Sequence, residues 1–100
     1  MVVPRRHAPG WADLTDGEAA ATGVVITRLA RALQGTIDLE RVYTAVIGHR
    51  VSHLHVHVVP RYTGTPSELD WMESREWDGA PQGGAGEIGE LVGRLRTALA

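Results

Sequence analysis

The order of patterns along the chain predicts an α+β domain, an antiparallel sheet with helices packed on one face. Three observations carry that prediction. A helically periodic apolar stretch lies near the N-terminus, two β-rich stretches follow with only a short link between them, and the chain closes on a second amphipathic stretch. At 100 residues the chain makes a single domain, residues 1–100, with a core of modest size.

Met1-Val2-Val3-Pro4 reads as a short strand stopped by proline, and Arg5 to Gly10 as a turn region whose two arginines are expected in solvent. Thr15-Asp16-Gly17-Glu18 fits a capping box. Thr15 would receive an amide of the first turn, and Glu18 would reach back to the cap, with Leu14 placed for a hydrophobic staple. Ile26, Leu29, Ala30 and Leu33 repeat at helical spacing and Gly35 supplies a stop, so a helix is expected over 16–34. Arg41 to Ile47 is β-branched and aromatic-rich, hence a strand. Gly48-His49-Arg50 is a tight connection, Val51 to Val59 is the next strand, and Pro60 ends the ladder; so short a link implies an antiparallel hairpin.

Residues 61–83 show no periodicity. They hold Gly64, Pro66, Gly79, Pro81, Trp71 and Trp77, and are expected to form a loop that covers a site or moves. Their acids, Glu68, Asp70, Glu73, Glu76 and Asp78, are expected as a solvated face. A helix is predicted over 85–99, with Ile88, Leu91, Val92, Leu95 and Leu99 on one stripe.

Composition excludes several classes. A net charge of -2 offers no basic excess for a nucleic-acid backbone. All ten basic residues are arginine, and cysteine is absent, which removes disulfides, thiolate zinc sites and thiol nucleophiles. Any metal would need histidine and carboxylate ligands. No apolar run approaches the roughly 20 residues that span a bilayer, and the N-terminus lacks a signal-peptide shape, so a cytoplasmic protein without a membrane partner is expected.

The chemistry concentrates in His53-Leu54-His55-Val56-His57-Val58-Val59-Pro60. On an extended chain successive side chains alternate, so three imidazoles share one face and Leu54, Val56 and Val58 the other. The aliphatic face packs on a core. The imidazole face is costly to bury unpaired and is either a polar surface or a site.

A metal site is one reading of that face. Alternate residues lie about 6.6 Å apart and the outer pair about 13 Å, whereas zinc ligands must converge to bonds of about 2.0–2.1 Å. No Asp or Glu lies between Glu40 and Glu68 to complete such a set. The other reading is anion chemistry. A row of imidazoles can donate along a phosphate chain, and the central one can attack phosphorus. For that it must be neutral, with one nitrogen bare and the other held as a donor by a carbonyl or similar acceptor. Mutual repulsion keeps a neutral member in the cluster near neutral pH. Phosphoryl transfer is mainly positioning and electrostatics, which this row could supply without a built-in metal.

The stretch matches the His-φ-His-φ-His-φ-φ signature of the histidine-triad (HIT) family. Val2-Val3-Pro4-Arg5-Arg6-His7 resembles that family's Val-x-Pro-basic-x-His strand end, Ala12 to Glu18 its helix entry, and Gly48 stands in a familiar place ahead of the triad. The Pro60-Arg61-Tyr62 tail resembles the dinucleoside-polyphosphate-hydrolase and fragile-histidine-triad branches. The resemblance covers residues 2–62. It implies a nucleotide hydrolase or nucleotidyl transferase acting on the α-phosphate of an AMP-like purine nucleotide or dinucleotide. His55 would be the nucleophile, and His53 and His57 would orient it and hold phosphate oxygens. Arg61 would contact phosphate or be solvated, and His7 would be structural.

The family usually carries further N-terminal strands, which build much of the base pocket, so the resemblance implies a HIT-like sheet shortened at the N-terminus. Where the family often has Gly-Gln-Ser/Thr this chain has Gly48-His49-Arg50, so His49 or Arg50 would stand in for a phosphate-binding hydroxyl. The resemblance also implies a homodimer and no required cofactor, although a divalent cation can accompany a polyphosphate substrate. The alternatives are a nucleotide-binding protein with impaired catalysis and, less favoured by the spacing, a histidine metal-binding protein.

Overall fold

The computed structural model describes residues 1–48, 50–73 and 77–100, at position 72 without the side chain. Its elements run in order: a short 3-10 helix Trp11–Asp13, helix α1 (Asp16–Thr36), strand β1 (Leu39–Ala45), strand β2 (His57–Tyr62), a second 3-10 turn Trp71–Glu73, and helix α2 (Ala85–Leu99). The two strands form an antiparallel two-stranded sheet, α1 packs beside β1, and α2 lies chiefly against α1. This is the α+β arrangement that the sequence predicts. Among the described residues no helix is long and apolar enough to cross a membrane.

Helix α1 starts where its capping chemistry requires. The Thr15 hydroxyl accepts from the Glu18 amide at 3.1 Å, and the Glu18 carboxylate accepts from the Thr15 amide at 2.9 Å. Glu18 has a further role that the sequence does not reveal. Arg6, expected in solvent, lays its guanidinium on Glu18 with nitrogens at 2.7 and 3.0 Å and donates to the Asp13 carbonyl at 2.6 Å. The first turn thereby anchors the chain that precedes it. Arg6 and then the Thr15 amide hold the Glu18 carboxyl well below the usual carboxylate range, at about 2. The helix continues through Gly35 to Thr36 rather than stopping at 34. A helical glycine costs only about 1 kcal/mol relative to alanine, and the ladder there is completed by the Ile37 amide donating to the Leu33 carbonyl at 2.8 Å.

The hairpin is antiparallel as expected, but its register corrects the predicted bounds. Ala45 pairs with His57, Tyr43 with Val59, Val42 with Pro60, and Arg41 with Arg61. The connection therefore spans residues 46–56, not only Gly48 to Arg50. Pro60, expected to end the ladder, lies within β2, and Arg61 and Tyr62 belong to the strand rather than to the loop. Both strands of a two-stranded ribbon are edge strands, where a residue without an N–H is tolerated.

Ahead of β2, Leu54 and Val56 pair with the N-terminal segment instead. Val2 and Val56 exchange both backbone hydrogen bonds at 2.9 Å, and the Leu54 amide donates to the Ala8 carbonyl at 2.7 Å. The N-terminal segment thus takes the place next to the histidine stretch that β1 takes next to β2. The alternation survives this change of partner. Leu54 and Val56 are the largest fully buried side chains, at 1% and 2% exposure, and with Ala8, Ala32, Leu33 and Ala80 they form a small core.

Candidate functional site

His53, His55 and His57 are all half-buried, on the face opposite Leu54 and Val56. The rings of His55 and His57 meet edge to face at 5.1 Å between centroids. The three imidazoles are nevertheless not equivalent, because backbone groups treat each of them differently.

His55 is the one held as a donor. Its Nδ1 lies 2.9 Å from the carbonyl oxygen of His53, and a carbonyl can only accept, so the ring proton is on Nδ1. In the neutral ring Nε2 then carries the lone pair, and among the described residues nothing bonds to it. This is the arrangement that a histidine nucleophile requires: one nitrogen bare, the other pinned.

His53 is held at both ends. Its Nδ1 accepts from the buried Ala8 amide at 3.3 Å, which places the proton on Nε2, and Nε2–H donates to the Pro4 carbonyl at 2.8 Å. The His7 ring stacks on it at 5.3 Å, with planes 18° apart. The expected phosphate contact from His53 would have to displace one of these partners. Neither nitrogen is bare, because the N-terminal segment occupies both. What His53 does offer is position, since its backbone carbonyl is the group that orients His55. The His57 ring, by contrast, has no hydrogen bond among the described residues, and it stays beside His55.

Arg61 is also placed differently from the expectation. It is 8% exposed, with its guanidinium turned into the following loop. Nε donates to Glu40 at 3.1 Å, and the terminal nitrogens donate to the carbonyls of Leu69 at 3.0 Å, Pro66 at 2.7 Å and Thr65 at 3.4 Å. A buried guanidinium needs its donors filled, and loop carbonyls fill them where phosphate was expected. Arg50 is exposed in the 46–56 connection, and His49 lies outside the described residues. Of the loop acids, Glu68, Asp70, Glu73 and Asp78 are exposed, and Glu76 lies outside the described residues.

Among the described residues no three histidine or carboxylate side chains converge as a metal site would require. The partners that sequence reasoning missed are main-chain groups: the carbonyls of Pro4 and His53 and the amide of Ala8. Their only advance signal was the spacing from Pro4 to His7, which says nothing about which atoms would meet the triad.

The family model described as "HIT domain" matches residues 1–64. Among solved structures, the chain is similar to the crystal structure of the histidine triad protein blr8122 from Bradyrhizobium japonicum. The two share 30% identity at a TM-score of 0.76, over 98% of this chain and 72% of that one. Among curated proteins, none matches significantly. The motif, the carbonyl-held central imidazole, the family model and the structural likeness converge on one assignment: this chain belongs to the HIT domain family, whose members are in general nucleotide hydrolases or transferases.

Proposed function

We propose that the protein is a nucleotide hydrolase or nucleotidyl transferase acting on the α-phosphate of an AMP-like substrate, a dinucleoside polyphosphate or a related compound. The observation that carries this reading is the bare Nε2 of His55, with Nδ1–H held on the His53 carbonyl. Nε2 attacks phosphorus and forms an N–P bond. The bond from phosphorus to the leaving group breaks, and that group departs with the electron pair. Water then adds to phosphorus and loses a proton, the N–P bond breaks, and the neutral imidazole returns; in a transferase another nucleophile replaces the water. As positive charge develops on the ring, the His53 carbonyl accepts a stronger hydrogen bond from Nδ1–H, so its stabilisation is greatest where the barrier lies.

His57 supplies the neighbouring unbonded imidazole, a donor for a phosphate oxygen or for the leaving oxygen. His53 acts through its carbonyl, as a positioning residue. Val46, Ile47 and Val51 are exposed on the connection, and burial of such apolar side chains supports a homodimer as the working form.

The test is to incubate the parent and His55→Asn with dinucleoside polyphosphates and with adenosine phosphoramidates. The parent should turn over at least one of them, and the variant should lose about a thousandfold or more in rate, with acid-labile nucleotidyl-protein trapped from the parent alone. Equal rates in the two proteins would remove His55 from the mechanism.

A further inference from the structure

The row of imidazoles offers donors at one end only. At the His53 end, the chain from Pro4 to Ala8 takes both ring nitrogens and His7 stacks on the ring. At the other end the His57 ring lies 5.1 Å from that of His55 and has no hydrogen bond among the described residues. A substrate attacked by Nε2 of His55 therefore finds its next donor at His57, and the atoms bonded to its leaving oxygen lie beyond that ring.

The register decides what stands there. Ala45 pairs with His57, Thr44 with Val58 and Tyr43 with Val59, in the stretch of the ladder that runs without a shift. Directly opposed residues of an antiparallel pair project to the same face, so Ala45 and Tyr43 share the face of His57. Ala45 puts only a methyl group across from the imidazole. Tyr43 is the diagonal neighbour of His57, about 7–8 Å away along the backbone diagonal, a separation within reach of aromatic side chains. No ring contact joins the two among the described residues. Tyr43 is half-buried, and its hydroxyl has no partner among the described residues and is not sealed from solvent. A phenol held by the strand, with its O–H unused, thus stands next to the donor for the leaving oxygen.

We propose that Tyr43 is a specificity-determining residue of this site: its hydroxyl donates to an oxygen of the phosphate next to the leaving oxygen, and so favours a polyphosphate leaving group over a small uncharged one. This rests on the reading of His55 as the nucleophile, and it sets the direction in which the substrate lies. The scissile phosphate is at His55, the leaving oxygen at His57, and the next phosphate within reach of Tyr43.

The experiment is calorimetric titration of the whole protein with AMP and with α,β-methylene-ADP, whose carbon bridge resists cleavage. It compares the parent, Tyr43→Phe, which keeps the ring and its packing, and Tyr62→Phe. Tyr62 is the chain's other tyrosine, at the opposite end of β2 from His57, and serves as the control. The parent is expected to bind the diphosphate more tightly than AMP. Tyr43→Phe should weaken the diphosphate about tenfold, the scale of one hydrogen bond to a charged group, and leave AMP unchanged, while Tyr62→Phe alters neither. Equal losses for the two nucleotides, an unchanged diphosphate affinity in Tyr43→Phe, or a parent that binds the diphosphate no better than AMP would each overturn the proposal. A parent with the expected binding pattern that turns over neither dinucleoside polyphosphates nor phosphoramidates sinks the hydrolase reading alone; one that binds neither nucleotide sinks both.

Discussion

Replacing His53 by alanine removes two hydrogen bonds that tie the N-terminal segment to the histidine stretch. The Nε2–H bond to the Pro4 carbonyl, at 2.8 Å, has ordinary geometry and contributes about 1 kcal/mol net. The bond from the Ala8 amide to Nδ1 is longer, at 3.3 Å, but Ala8 is fully buried. Stranding its N–H costs about 1–3 kcal/mol. Together the loss is about 2–4 kcal/mol, a large part of the roughly 5–15 kcal/mol that holds a domain of this kind folded. The assay is urea unfolding of the parent, His53→Ala and His57→Ala, with amide hydrogen exchange at Val2, Leu54 and Val56. The His57 side chain has no hydrogen bond to lose among the described residues, so its replacement should cost about 1 kcal/mol or less, the scale of its ring contact with His55. If His53→Ala shifts stability by less than about 0.5 kcal/mol, or if those three amides keep their protection, the clamp from Pro4 to Ala8 is not what holds the triad.

Glu18 supplies a pH prediction with a definite sign. Its carboxyl is held at about 2 in the folded protein, against about 4.3 in an unfolded chain. The unfolded state therefore takes up the proton first as pH falls, and stability that is fully present above about pH 4.3 is lost progressively towards pH 2. Acid titration of stability for Glu18→Gln should be flatter across that window than for the parent; identical slopes would show that the pairing with Arg6 does not form in solution. Arg61→Lys should destabilise the fold by about 2–3 kcal/mol, because one ammonium cannot satisfy Glu40 and the carbonyls of Thr65, Pro66 and Leu69 together. Increased proteolysis within residues 63–71, with the 53–57 amides unaffected, would locate that damage; parental stability would show that the guanidinium is not the anchor of the loop.

The elements that the sequence predicts well are those whose signals are local. The Thr15–Glu18 capping box depends on atoms three residues apart and starts α1 where predicted. The stripe from Ile88 to Leu99 yields α2 with its expected bounds, Ala85–Leu99. The strand bounds were less legible, because a strand ends where its neighbour ends. Nothing within Val51 to Val59 says that its first half pairs with the N-terminal segment and only its second half with β1. Arg61 shows the same limit for a side chain. A positive charge at the end of a motif strand suits a phosphate or a loop carbonyl equally, and the path of residues 63–69 decides between them.

The sequence by itself determined that three imidazoles share a face opposed to Leu54 and Val56, since alternation is a property of any extended backbone. It also determined that the central imidazole would need one nitrogen pinned and one bare to act on phosphorus, since that is imidazole chemistry. Only the tertiary structure decided which groups do the pinning. The His53 carbonyl takes Nδ1 of His55 once the chain is extended against Val2 and Ala8, and the same pairing uses both nitrogens of His53. These are hydrogen bonds to main-chain atoms, which every residue carries alike; their direction comes from packing, and no choice of side chain in the sequence spells it out.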